Sequence, residues 1–147
     1  MNWKKGRGKL GIFAPLLGEW QAEAETETEM GLVQCIRKFQ KLLGGNYVQL
    51  IAKWEFTDRN YEELALIGVN EEKEICFWSF TSDGKQAHGQ LADATDIHSN
   101  AICFEAQMPA GTARMVYWPD DKEGFHWVVE SKTKKGWNRF VKHHYRN

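Results

Sequence analysis

Residues 19–29 read EWQAEAETETE. The odd positions are Glu19, Gln21, Glu23, Glu25, Glu27 and Glu29; the even ones are Trp20, Ala22, Ala24, Thr26 and Thr28. A helix would scatter the glutamates around its axis. A period of two describes a β-strand with one wet and one covered face. A packed sandwich core would put Val, Ile or Leu on the covered face. Here it carries one tryptophan and then only small side chains, which leaves volume beside Ala22 and Ala24 to be filled.

The remainder reads as a meander. Strand-like runs are LVQCIRKFQKLL, YVQLIAKWEF, YEELALIGV, EICFWSFT, QAHGQLAD, AICFEAQM, TARMVYW, FHWVVESK and WNRFVKHHYR. Turn signals separate them: Gly31, Gly44-Gly45-Asn46, Asp58-Arg59-Asn60, Asn70 to Lys73, Ser82-Asp83-Gly84-Lys85, Pro109-Ala110-Gly111, Pro119 to Gly124 and Lys134-Lys135-Gly136. The connection from Ala94 to Ser99 is looser, and Lys9 to Leu17 is the one helical candidate. Nothing divides the 147 residues, so one domain over 1–147 is expected. The predicted fold is all-β, an up-and-down antiparallel barrel of about ten strands that hides its sheet edges, with the short N-terminal helix plugging one end. A barrel of this size can hold a small ligand, and the small face of the first strand would then line a cavity. A filled barrel or a sandwich, with large side chains supplied by opposite strands, is the alternative.

Gly18-Glu19-Trp20, after a short helical segment, matches the G-x-W that opens the first strand of lipocalins. Over nearly its full length the chain resembles a bacterial lipocalin-like family of unknown function in the calycin superfamily, related in shape to nitrobindins and fatty-acid-binding proteins. The motifs that carry this are LLGEW, LLGGNYV, FWSFTSDG and GWNRF. The resemblance implies that a cation of the last strand packs over Trp20 and closes one barrel end. Antiparallel pairing of first and last strands favours Arg146 for that role over Arg139, although strict parity turns Arg146 outward.

The helix plugs the end where the first strand begins, so the mouth lies opposite. Gly31, Asp58 to Asn60, Ser82 to Lys85, Pro109 to Gly111 and Lys134 to Gly136 would ring it. Alternation then selects inward sets. These are Cys35, Arg37 and Phe39; Val48, Leu50, Ala52 and Trp54; Ile102, Phe104, Ala106 and Met108; Phe125, Trp127 and Val129; and Trp137, Arg139, Val141, His143 and Tyr145. The strand with Phe77, Trp78 and Phe80 is apolar on both faces, and either Arg114 or Met115 could face in. The candidate ligand-binding set is Arg37, Phe39, Trp54, Phe104, Met108, Trp127, Arg139, His143 and Tyr145. An apolar lining with sparse convergent polar groups is the usual form of a small-molecule site. The expected partner is a small hydrophobic or amphiphilic molecule. A buried arginine without a carboxylate partner would read an anionic head group, with Arg139 near the mouth opposite Glu27 and Thr28. A bulge, a slip of parity or a buried water would instead neutralise the arginines within the protein.

Other functions find less support. The formal net charge of −1 argues for neither nucleic acid nor an anionic membrane, and no apolar stretch is long enough to span a bilayer. Cys35, Cys76 and Cys103 are far apart and read as reduced core thiols. The basic start and LGIFAPLLG faintly imitate a signal peptide, but Pro15 and Gly18 break the run and cleavage after Ala24 would cut the most regular strand. A cytoplasmic protein is therefore expected, as monomer or dimer. No catalytic triad, phosphate loop or metal-ligand spacing appears. Three alternatives remain: an enzyme with His143 as base supported by Tyr145 and Arg139; a barrel that docks partners through Ile36 and Phe140; and haem held by His143, which the nitrobindin resemblance implies.

Overall fold

In a computed structural model that describes residues 2–25 and 32–147, the chain forms one ten-stranded antiparallel sheet in sequence order. The strands are β1 (Gly18–Glu25), β2 (Leu32–Leu42), β3 (Tyr47–Glu55), β4 (Asn60–Val69), β5 (Ile75–Thr81), β6 (Gln86–Ala92), β7 (Ile102–Met108), β8 (Gly111–Pro119), β9 (Phe125–Thr133) and β10 (Gly136–Tyr145). The expected turn at Gly31, and Thr26, Glu27, Thr28 and Glu29, lie outside the described residues. The sheet curls into a nearly closed barrel, compatible with a lipocalin- or calycin-like fold. Among the described residues its seam is one bridge between Gln21 and Arg146, whose amides and carbonyls exchange hydrogen bonds of 2.7 and 2.9 Å. Gly84, at φ +82°, supplies the left-handed residue between β5 and β6.

The helical candidate is a short 3₁₀ helix, Gly11–Leu16, with Pro15 inside it. It drives Phe13 and Leu16 into the barrel end where β1 begins. Phe13 stacks on Phe104 with centroids 5.9 Å apart. Trp20 lies in the same layer, its indole Nε1 donating to the Leu16 carbonyl at 2.7 Å and its ring edge-on to Phe125 at 5.0 Å. The helix is thus tied to the first strand and fills the closed end.

Arg146 does not perform the closure expected of its side chain. Its guanidinium is exposed and lies 3.3 Å from His144 Nδ1 on the outside, as parity requires. Among the described residues no cation covers Trp20. Arg146 closes the barrel with its backbone instead.

The outer face is also partly covered. Residues 92–101 fold over the barrel wall, where Ala94, Cys103, Val116 and Val128 form a second small core flanked by Trp118. Strands β7 to β9 therefore bury apolar residues on both faces here; Glu105, Gln107, Glu130 and Lys132 still mark the outer face of β7 and β9, and only β8 is left without an orientation by alternation. Arg114 is the polar anchor of this layer. It donates from Nε to Glu130 at 2.8 Å and through both terminal nitrogens to Asp96 at 3.2 and 2.9 Å. That fork fixes the covering segment to the wall.

Candidate functional site

The interior holds a cavity of about 580 Å³ that opens opposite the plug. Phe56, Arg59, Lys85, Met108 and Phe140 sit toward its mouth, and Arg37, Phe77, Phe104 and Trp127 lie deeper. Ala22 and Ala24, whose small size raised the question of volume, are buried in the main core and do not line it. The cavity wall runs from β2 to β10 instead. Room on the β5–β6 side comes from Gly89, where any Cβ would run into the ring of Phe77, itself edge-on to Phe104 at 5.1 Å. Met115, paired with inward Phe104 and Val129, is the inward residue of β8, whereas Arg114, paired with Glu105 and Glu130, turns its side chain outward although it borders the cavity; Phe77 and Ser79 are inward on β5.

One polar cluster stands in this apolar wall. Arg37, Ala52, Glu63 and Thr81 form a row across β2, β3, β4 and β5 by strand register. Because Ala52 is small, Arg37 and Glu63 meet above it, with Nη2 and Oε1 3.9 Å apart. Ser79 Oγ donates to the other carboxylate oxygen of Glu63 at 2.6 Å. Arg37 Nη2 also donates to the Tyr117 hydroxyl at 2.8 Å, and its guanidinium carbon lies 4.1 Å from the centre of the Trp127 ring. Arg37 is only 1 % exposed, whereas the Glu63 side chain is 20 % exposed. Burial alone would weaken the arginine's charge, but the phenols of Tyr117 and Tyr145 and the Glu63 carboxylate outweigh it, and Arg37 stays cationic.

Of the nine expected ligand-binding residues, Arg37, Trp54, Phe104, Met108 and Trp127 line the cavity. Phe39 does not. It packs edge-on to Tyr117 at 5.8 Å within the core. His143 and Tyr145 point inward as parity requires, yet neither reaches the cavity wall. The His143 ring lies between Trp54 and Trp127, with centroids 5.0 Å from each, and its Nδ1 is 3.0 Å from the Tyr145 hydroxyl. Tyr145 stacks on Phe125 at 5.2 Å. Burial, reinforced by the Arg37 charge, lowers the His143 pKa to about 4.

Arg139 is a correction of larger consequence. A bulge between Arg139 and Val141 reverses the parity of β10, so Trp137 and Arg139 face outward while Val141, His143 and Tyr145 face inward. Arg139 Nε donates to Glu130 Oε2 at 2.9 Å, on the outer face with Arg114. The structure therefore does not bring Arg139 together with His143 and Tyr145, and the expected anion-reading cation at the mouth is an outer clasp. Nor do the residues fit a haem. His143 is sandwiched between two indoles, engaged by Tyr145, and off the cavity wall.

Sequence reasoning missed Glu63, Ser79 and Tyr117. The strand YEELALIGV offers glutamates of both parities and apolar residues of both parities, so alternation gives no orientation. The usable signal was hairpin register: Trp54 pairs with Tyr61 and Ala52 with Glu63, which carries the inward parity of β3 onto β4. No protein-family model matches the chain, and no curated protein matches it.

Proposed function

We propose that the barrel binds a small, mostly apolar molecule in its interior. The observation that carries this reading is the open cavity of about 580 Å³, lined among the described residues mainly by aromatic and aliphatic side chains, with the Arg37 and Glu63 cluster in its inner wall and further polar groups toward its mouth. That volume lies within the range of about 300–1,000 Å³ typical of small-molecule sites. A barrel of this size can hold a small ligand inside, and three buried thiols without disulfides suit a reducing compartment such as the cytoplasm. Hydrogen bonds from Arg37 to Tyr117 and from Ser79 to Glu63 cross-link the inner wall, and a pocket formed in advance loses little order on binding.

The test is titration with an environment-sensitive apolar dye, followed by displacement with alkyl compounds. Saturable, stoichiometric dye binding that Ala106→Trp blocks is the expected result, because Ala106 lines the cavity and an indole there would occupy it. Failure of every apolar probe to bind the folded wild-type protein would refute the reading.

A further inference from the structure

We infer that the inner end of the ligand is an uncharged hydrogen-bond donor, a hydroxyl group, accepted by the carboxylate of Glu63. This rests on the reading of the cavity as a ligand site and names the class of molecule that suits it.

Of the two ions in the polar cluster, Glu63 is the one open to a guest. Arg37 faces the cavity but is almost wholly covered, lying over the Trp127 ring and donating to Tyr117. A guest cannot form a forked pair with it unless that packing is undone. Glu63 is the more exposed partner. Its Oε2 already accepts from Ser79, while among the described residues Oε1 has only the distant Arg37 nitrogen at 3.9 Å, beyond hydrogen-bond length. A carboxylate has about four lone-pair sites, so Glu63 has acceptor capacity left for the cavity side. Ser79, only 3 % exposed, spends its proton on Glu63 and offers none to a guest.

Charge decides between donors. Arg37 and Glu63 together are neutral, and the surrounding wall is apolar. A guest carboxylate would meet the exposed oxygen of Glu63 and add an uncompensated negative charge. A guest ammonium would add an uncompensated positive charge within reach of Arg37. Either ion loses its hydration without a matching partner. A hydroxyl donates one hydrogen bond to Glu63 and brings no charge. The cations at the mouth do not alter this balance. Arg59 is paired with Asp58 at 2.9 Å, Lys85 lies 3.9 Å from Asp83, and both are solvated.

Decanol, decanoate and decylammonium share one alkyl chain and separate the possibilities. Affinities would be measured by displacement of the apolar dye at neutral pH. Wild type is expected to hold decanol at least ~10-fold more tightly than either ion, the equivalent of about one buried hydrogen bond kept and one ionic desolvation avoided. Glu63→Gln removes the negative charge and leaves Arg37 the only ion of the cluster. That variant should lose the preference for decanol and bind decanoate more tightly than wild type does. Ser79→Ala, a milder change, leaves Glu63 short of a donor and should keep or strengthen the preference for decanol. Equal affinity of wild type for the three, or tighter binding of decanoate, would overturn the inference while leaving the cavity reading intact. If none of the three displaces the dye and the dye itself does not bind, the cavity reading fails first. If Glu63→Gln proves unfolded by circular dichroism, Ser79→Ala carries the decision, and a loss of its decanol preference overturns the inference.

Discussion

The guanidinium of Arg37 lies over the indole of Trp127, its carbon 4.1 Å from the ring centre, in the inner wall of the cavity. It joins β2 to β9 across the barrel, and its hydrogen bond to Tyr117 joins it to β8. Arg37→Met should therefore lower stability by about 3 kcal/mol, the sum of a desolvated cation–π contact and one buried hydrogen bond. Arg37→Lys should recover less than half of that, because an ammonium has neither the planar face nor the fork. Urea unfolding of the three proteins decides it. A loss under about 1 kcal/mol for Arg37→Met would show that the arginine is dispensable to the fold.

Trp20 joins the plug to the barrel. Trp20→Ala should cost about 3–5 kcal/mol, as for other truncated core aromatics. Trp20→Phe keeps a ring against Phe125 but loses the donor to the Leu16 carbonyl, and should cost distinctly less. Comparable losses for both variants would show that the hydrogen bond, not the ring, anchors the plug.

Glu130 is shared by two arginines on the outer wall, and its side chain is 5 % exposed. Glu130→Leu leaves Arg114 buried with the exposed Asp96 as its remaining ion-pair partner among the described residues and should destabilise by about 3–5 kcal/mol. Arg139 is 36 % exposed, and Glu130 keeps Arg114 without it. Arg139→Met should therefore cost less than about 1 kcal/mol and leave dye affinity in the cavity unchanged. A changed affinity for charged probes in Arg139→Met would place its side chain inside after all.

His143 predicts an acid limit on stability. Its folded pKa of about 4 lies below the usual 6.5, so the unfolded chain takes up the proton first. Protonation thus favours unfolding. The contribution of neutral His143 is complete above about pH 6.5, declines as pH falls, and is lost by about pH 4, a span of ~3 kcal/mol. In His143→Gln this part of the pH dependence should vanish. Denaturation midpoints at several pH values between those limits would show it, and parallel curves for the two proteins would contradict it.

Most of the barrel was legible because its strands alternate cleanly. In β2, Cys35, Arg37 and Phe39 turn inward between Gln34, Lys38 and Gln40, and the same rule orients Val48 to Trp54, Ile102 to Met108 and Phe125 to Val129. Legibility ended where the physical premise of one buried face failed. Strand β5 buries Phe77 inside and Cys76 outside, the latter 3.3 Å from Asn70 Nδ2, so both parities are apolar. Strand β4 puts Leu64 outside, 41 % exposed, and Glu63 inside, inverting the expected pattern. Strand β10 contains one residue too many for a single parity, and nothing in WNRFVKHHYR marks Phe140 as the extra one.

That extra residue at Phe140 has an evolutionary meaning. It splits the last strand into two phases, the earlier presenting its cation to the outer wall and the later presenting rings to the core. A lineage could lose Phe140 without turning either phase: Arg139 would still lie opposite Glu130 and Val141 opposite Val129, so the cation stays on the outer wall and the rings stay in the core. Arg139 reaches the cavity side only if the pairing of β9 with β10 slips by one residue, which gives up the clasp to Glu130. The spare residue thus lets the last strand vary in length while both of its faces keep their neighbours.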